Sequence, residues 1–130
     1  QGLREGLGPR ARVTVVTGGP NAVESGLAAA EFVLDRRDRP TAIAAGGDVL
    51  AFGVLEAMRR RGLQAGRDIS ITGFDDIPAA EAAGLTTVRQ PIRDKGRMLA
   101  RMLLDPDCTD ERVVLPTELV IRSSTGPVRN

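Results

Sequence analysis

The chain has 130 residues, a net charge of +1 and a hydrophobic fraction of 42%, which suits one folded soluble domain and gives no bulk attraction to nucleic acid or membrane. It has no histidine, one cysteine (Cys108) and 2% aromatic residues, all Phe. That excludes histidine-based triads, most zinc sites, an internal disulfide and stacking platforms for single-stranded nucleic acid. No apolar run approaches the roughly 18 residues of a membrane span.

Residues 1–8 have helical composition, with Leu3 and Leu7 at i, i+4 and no N-cap, as if the chain entered in mid-helix. Pro9 and Arg10 break that pattern. Residues 12–17 (R-V-T-V-V-T) read as a strand closed by Gly18, Gly19 and Pro20. Asn21 is placed to cap the next helix, with Glu24 at capping-box spacing and a stripe of Val23, Leu27, Ala30 and Leu34. Residues 41–45 read as a short apolar strand ending at Gly46 and Gly47. Asp48 then caps a helix running to about Arg61, and Gly62 suits its C′ position. Leu50, Val54, Ala57 and Met58 form one face of that helix, with Phe52, Leu55 and Arg59 on its flank. An arc that wide predicts a second contact surface.

Residues 69–74 form the next strand, which runs into the acid pair Asp75 and Asp76 and then Pro78. In open α/β sheets ligands bind outside the carboxyl ends of the strands, so this is the first place to look for a site. Residues 79–84 are weakly helical, and residues 85–89 (L-T-T-V-R) form a strand. Gln90 and Pro91 open a helix striped by Ile92, Gly96, Leu99 and Leu103, with Pro91 suited to its first turn. Residues 105–110 are a turn-rich loop containing Cys108. Apolar strands at 113–115 and 118–122 are split by Pro116, and a loose tail from Ser123 is expected. The alternation of strands and helices predicts an α/β fold, a doubly wound parallel sheet.

Six motifs in order give the chain a family likeness: P-T-A-I-A-A at 40–45, G-D-V-L-A-F-G-V-L at 47–55, R-R-R-G-L at 59–63, D-I-S-I-T-G-F-D-D-I-P at 68–78, L-T-T-V-R-Q-P at 85–91 and L-P-T-E-L-V-I-R-S-S-T at 115–125. With them it resembles the C-terminal part of the effector-binding core of the lac/gal repressor family of transcriptional regulators. The resemblance implies a periplasmic-binding-protein-like fold of type I, here an incomplete C-terminal subdomain. Residues 1–89 would belong to that subdomain, 90–115 to a crossover helix segment of the N-terminal subdomain, 116–125 to a return strand and 126–130 to a tail. It also implies a cytoplasmic sensor, not an enzyme, without cofactor or metal. Its partners would be a small effector such as a sugar, a second copy in a homodimer, and operator DNA through an N-terminal headpiece outside this sequence. A periplasmic-type sugar-binding protein of a transport system is the alternative.

Carried over residue by residue, the resemblance makes Asp75 the effector's hydrogen-bond acceptor. Gln90 reaches the cleft, Gly47 stands where the family usually has Asn, and Asn21 where many members have an aromatic. Phe52, Leu55 and Arg59, with Ile77 and Ala80, would form the dimer surface. From the residues alone other roles stay open. Asp75 and Asp76 make an ordinary turn pair, Gln90 can satisfy backbone groups, Phe52 and Leu55 can be core, and Gly46 and Gly47 could cradle a phosphate. The family's first strand would lie between residues 12–17 and 41–45 and is missing here. The expectation is therefore a gap in the sheet and a solvent-facing stripe of Ile92, Leu99 and Leu103, closed by a longer native chain or by exchange between copies.

Overall fold

A computed structural model of the chain describes residues 2–9, 11–17, 19–105, 107–108 and 112–128. The parts of the expected elements on Gln1, Arg10, Gly18, Pro106, Thr109, Asp110, Glu111, Arg129 and Asn130 lie outside it. The order is α1 (Gly2–Leu7), α2 (Val23–Leu34), β1 (Ala42–Ala44), α3 (Asp48–Arg60), β2 (Ser70–Thr72), α4 (Pro78–Ala82), β3 (Thr87–Arg89), α5 (Ile92–Leu104) and β4 (Glu118–Val120).

The core is built where α2 crosses α3. Gly26 and Gly53 are both buried at the crossing. A Cβ on Gly26 would strike the Leu50 carbonyl, and one on Gly53 the Val23 carbonyl, so only glycine allows the two backbones this close. Ala30, Leu34, Ala51, Val54, Ala57 and Met58 of the two helices then meet Ile69, Ile71, Ala80 and Leu85 from the sheet side. Leu27, Phe52 and Leu55 pack around this core half-buried.

Val54, Ala57 and Met58 of the predicted α3 stripe thus face inward, with Leu50 half-buried, and the helix end matches the expected glycine cap. Gly62 has φ 68°, its N–H donates to Arg59 O at 3.1 Å and Leu63 N–H to Met58 O at 2.9 Å. That is the paired bonding of a Schellman motif.

Strands β1 and β2 pair in parallel, with Ile43 opposite Ile71. Two isolated parallel bridges, Thr72 to Thr86 and Asp75 to Arg89, join them to the second pair. Strands β3 and β4 run antiparallel, so the sheet is not parallel throughout as the alternation predicted. Their register sets Arg89 opposite Glu118, and the two side chains meet at 2.9 Å, a favourable cross-strand charge pair.

Several local expectations change. Residues 12–17 join no ladder, and Val15 and Val16 are exposed. A strand needs a partner to bond with, and this segment pairs with none of the described strands. Residues 113–115 likewise form no strand. Ala22, not Asn21, is the N-cap of α2; Gly47, not Asp48, is the N-cap of α3; and Pro91 is the N-cap of α5 and not in its first turn.

The expected loose tail is anchored as far as Gly126. Ser124 is buried, its carbonyl accepts Ile71 N–H at 2.7 Å and its hydroxyl donates to Ile71 O at 2.7 Å. Gly126 N–H reaches Ser70 Oγ at 3.1 Å. The expected solvent-facing stripe is present: α5 has no buried residue, and Ile92, Leu99 and Leu103 are exposed. No helix among the described residues is long and apolar enough to cross a membrane.

Candidate functional site

The carboxyl ends of β1 and β2 and the N-terminus of α3 converge on the turn that carries Asp75 and Asp76. Both residues have positive φ, 116° and 55°. Non-glycine residues avoid this region, and two in succession persist only where surrounding bonds hold them. Here Asp75 N–H donates to Val88 O at 2.9 Å, Asp48 N–H to Phe74 O at 2.8 Å, and Ile77 N–H to Asp48 Oδ2 at 2.9 Å.

The two acids part company at this turn. The Asp76 side chain is only 7% exposed and lies 2.7 Å from Arg89 Nε and 2.8 Å from Arg122 Nη1. The second contact is an ion pair without hydrogen-bond alignment, Arg122 Nη1 donating to the Leu85 carbonyl at 2.8 Å. Burial pushes the Asp76 carboxyl up, but the Arg122 and Arg89 guanidiniums outweigh it and hold it below the usual carboxylate range. Asp76 is thus bound up in the scaffold.

Asp75 forms no ion pair among the described residues. Its Oδ1 accepts from Gln90 Nε2 at 2.6 Å. A methyl group placed on Gly47 would lie 3.7 Å from Asp75 Oδ2 and 3.2 Å from Asn21 Oδ1, so Asn21 and Asp75 both close on the bare Cα of Gly47. Asn21, Gly47, Asp75 and Gln90 are therefore gathered in one place, although they come from four separate stretches of the chain. Among the described residues the Gln90 side chain bonds a carboxylate and not a backbone group. The phosphate-cradle reading of Gly46 and Gly47 loses ground, because the first amide of α3 is spent on Phe74 O and a carboxylate, Asp75, stands alongside.

Together the four present a carboxylate acceptor, two carboxamides and a glycine backbone. Such a set suits a neutral, donor-rich ligand, and the unpaired carboxylate disfavours an anionic one. Of the residues expected at a dimer surface, Phe52, Leu55 and Ile77 are half-buried and Arg59 is exposed, its guanidinium 2.7 Å from Glu56. Ala80 is fully enclosed in the core and has no surface to offer a partner. Sequence reasoning missed the role of Asp48, which it read as a cap. It packs against Gly73, where a Cβ would strike Asp48 Oδ1, and the sequence marks that approach only by the glycine at 73.

A family model described as a periplasmic binding protein-like domain matches residues 1–125. The HTH-type transcriptional regulator DegA of Bacillus subtilis is 43% identical over 82% of this chain and 33% of its own length. A LacI-family transcriptional regulator from Enterococcus faecium, solved with bound ribose, superposes with a TM-score of 0.72 at 30% identity, over 83% of this chain and 42% of that one. The lac repressor dimer bound to operator and the anti-inducer ONPF gives 0.76 at 29% identity, over 82% and 39%. The chain spans about a third of the length of the curated relatives it matches.

Proposed function

The chain belongs to the periplasmic-binding-protein-like domain family, in the C-terminal core part of LacI-family transcriptional regulators, and from that membership we propose that it is the effector-sensing part of a cytoplasmic transcriptional repressor. Its effector is a small hydroxyl-rich metabolite of the sugar class. The convergence of Asn21, Gly47, Asp75 and Gln90 at the strand ends carries this reading. Asp75, strained and without a cation among the described residues, accepts the ligand's hydroxyls, while Asp76 holds the turn from behind. The bound ribose of the Enterococcus faecium neighbour supports the ligand class. The relatives are named as regulators, so the transport reading has no observation in its favour.

Operator DNA would be read by a headpiece elsewhere in the whole protein. Pairing of copies would use Phe52, Leu55 and Arg59 of α3 with Ile77 beside α4. Phe52→Arg places a charge in that patch and is expected to give monomer in sedimentation velocity; a mutant that stays dimeric rules the patch out. For the site, calorimetry of the full-length protein with a panel of sugars, D-ribose among them, identifies the ligand. Asp75→Ala should then weaken binding by about 1.5–3 kcal/mol, the range for a hydrogen bond to a charged group. Unchanged affinity removes Asp75 from the site.

A further inference from the structure

Asp48 is the only fully buried charged residue among the described residues, and no basic side chain pairs with it there. A buried carboxylate without a cation is costly unless hydrogen bonds satisfy it. Its Oδ1 accepts from Thr87 Oγ1 at 2.6 Å and its Oδ2 from Ile77 N–H at 2.9 Å. Its own N–H donates to Phe74 O at 2.8 Å. Asp48 therefore grips the backbone on both sides of the Asp75–Asp76 turn, at Phe74 before it and at Ile77 after it. Through Thr87 it also fixes that turn against β3, the strand that leads into Gln90. Gly73 leaves the room this needs, since a Cβ there would strike Asp48 Oδ1.

We propose that Asp48 is the positioning residue of the ligand site: it sets the strained turn that aims Asp75 and fixes the spacing of Asp75 from Gln90. The proposal rests on the reading of Asp75 as a ligand contact. The mechanics are geometric. Two successive residues at positive φ relax towards negative φ unless both flanks are held, and the flanking bonds on both sides end on Asp48. The Asp75 carboxylate would then leave the orientation in which Oδ1 meets Gln90 and Oδ2 lies beside Gly47.

The test uses the full-length protein and two readouts. In amide hydrogen exchange, Asp48→Ala is expected to speed exchange at residues 75–77 by about tenfold or more, the loss of one well-made hydrogen bond, with Ile71 and Leu85 as protected as before. Asp48→Asn keeps an oxygen for Ile77 N–H and offers an amide hydrogen to Thr87 Oγ1, so it restores slow exchange. With D-ribose as probe, Asp48→Ala weakens binding about tenfold and Asp48→Asn stays near wild type. If Asp48→Ala does not fold, Thr87→Val, which frees Oδ1, is expected to speed exchange at 75–77 in its place. Unchanged exchange at 75–77 in the variant that folds overturns the proposal, and so does an Asp48→Asn protein as impaired as Asp48→Ala. The exchange readout needs no ligand. A wild-type protein that ignores ribose therefore counts against the ligand class alone, and the exchange result still decides the role of Asp48.

Discussion

Helices α3 and α5 have 13 residues each and both carry an apolar stripe of helical period. One is the centre of the core, with Ala51, Val54, Ala57 and Met58 enclosed. The other has no buried residue, and its Leu103 is 83% exposed. Amphipathicity specifies that a face must be covered but is silent about what covers it. For α3 the cover is α2, admitted by Gly26 and Gly53, together with the sheet. For α5 no described element supplies one.

The largest expected effect tests that contrast directly. In the 130-residue chain, Met58→Ala should cost about 2–5 kcal/mol, as for a long side chain removed from a closed core. Leu103→Ala should stay within about 0.5 kcal/mol, as for a surface change. Urea denaturation measures both. An equally costly Leu103→Ala would mean that α5 is covered in solution by a second copy.

What could be read from the sequence divides along the same line. Local bonding signals were legible: the glycine cap at Gly62, the inward face of α3, and the acid turn after a buried strand. The grouping of Asn21, Gly47, Asp75 and Gln90 followed from the family likeness, because no spacing in the chain brings four distant stretches together. Residues 12–17 misled because β propensity describes a fit to a neighbour, and the neighbour is not among the described strands. Asn21 and Asp48 were both read as caps because that is the common local use of their side chains. In the fold Ala22 and Gly47 take those positions, and the two side chains are free for longer-range contacts. Ser124, in the expected tail, is buried through hydrogen bonds to Ile71, 53 positions away, and no local pattern announces a bond of that span.

A smaller effect sharpens the contrast in acid. The Asp76 carboxyl is held below its ordinary value of 3.8, so the folded state binds its proton less readily than the unfolded state does. Stability from this group is fully present above the ordinary value and is lost as pH falls from there through the lower, folded value. Thermal midpoints measured from pH 7 down to pH 3 should therefore fall at the acid end. Arg122→Gln removes one of the two guanidiniums and should flatten that fall while lowering stability at neutral pH. A wild-type acid profile retained unchanged in the variant would show that Arg122 does not hold Asp76.

The smallest effect sets the strained turn of the α3 half against the relaxed helix of the other, using the same residue pair with opposite sign. In an ordinary helix interior glycine is worse than alanine by about 1 kcal/mol, through its greater backbone freedom when unfolded. Ala100 in the exposed run of α5 is such a position, so Ala100→Gly should destabilise the chain by about that amount. At Asp75 the backbone sits at φ 116°, which alanine reaches only with strain of about 1–3 kcal/mol and glycine without it. Asp75→Ala and Asp75→Gly both lose the bond to Gln90, so that loss cancels when the two variants are compared. Asp75→Gly should therefore be the more stable of the two by about 1 kcal/mol, once its greater unfolded freedom is set against the relieved strain. Paired urea denaturations of the four proteins measure the signs. If alanine is the better residue at both positions, the turn relaxes without cost when Asp75 is lost, and its positive φ is then no sign of a backbone held for ligand binding.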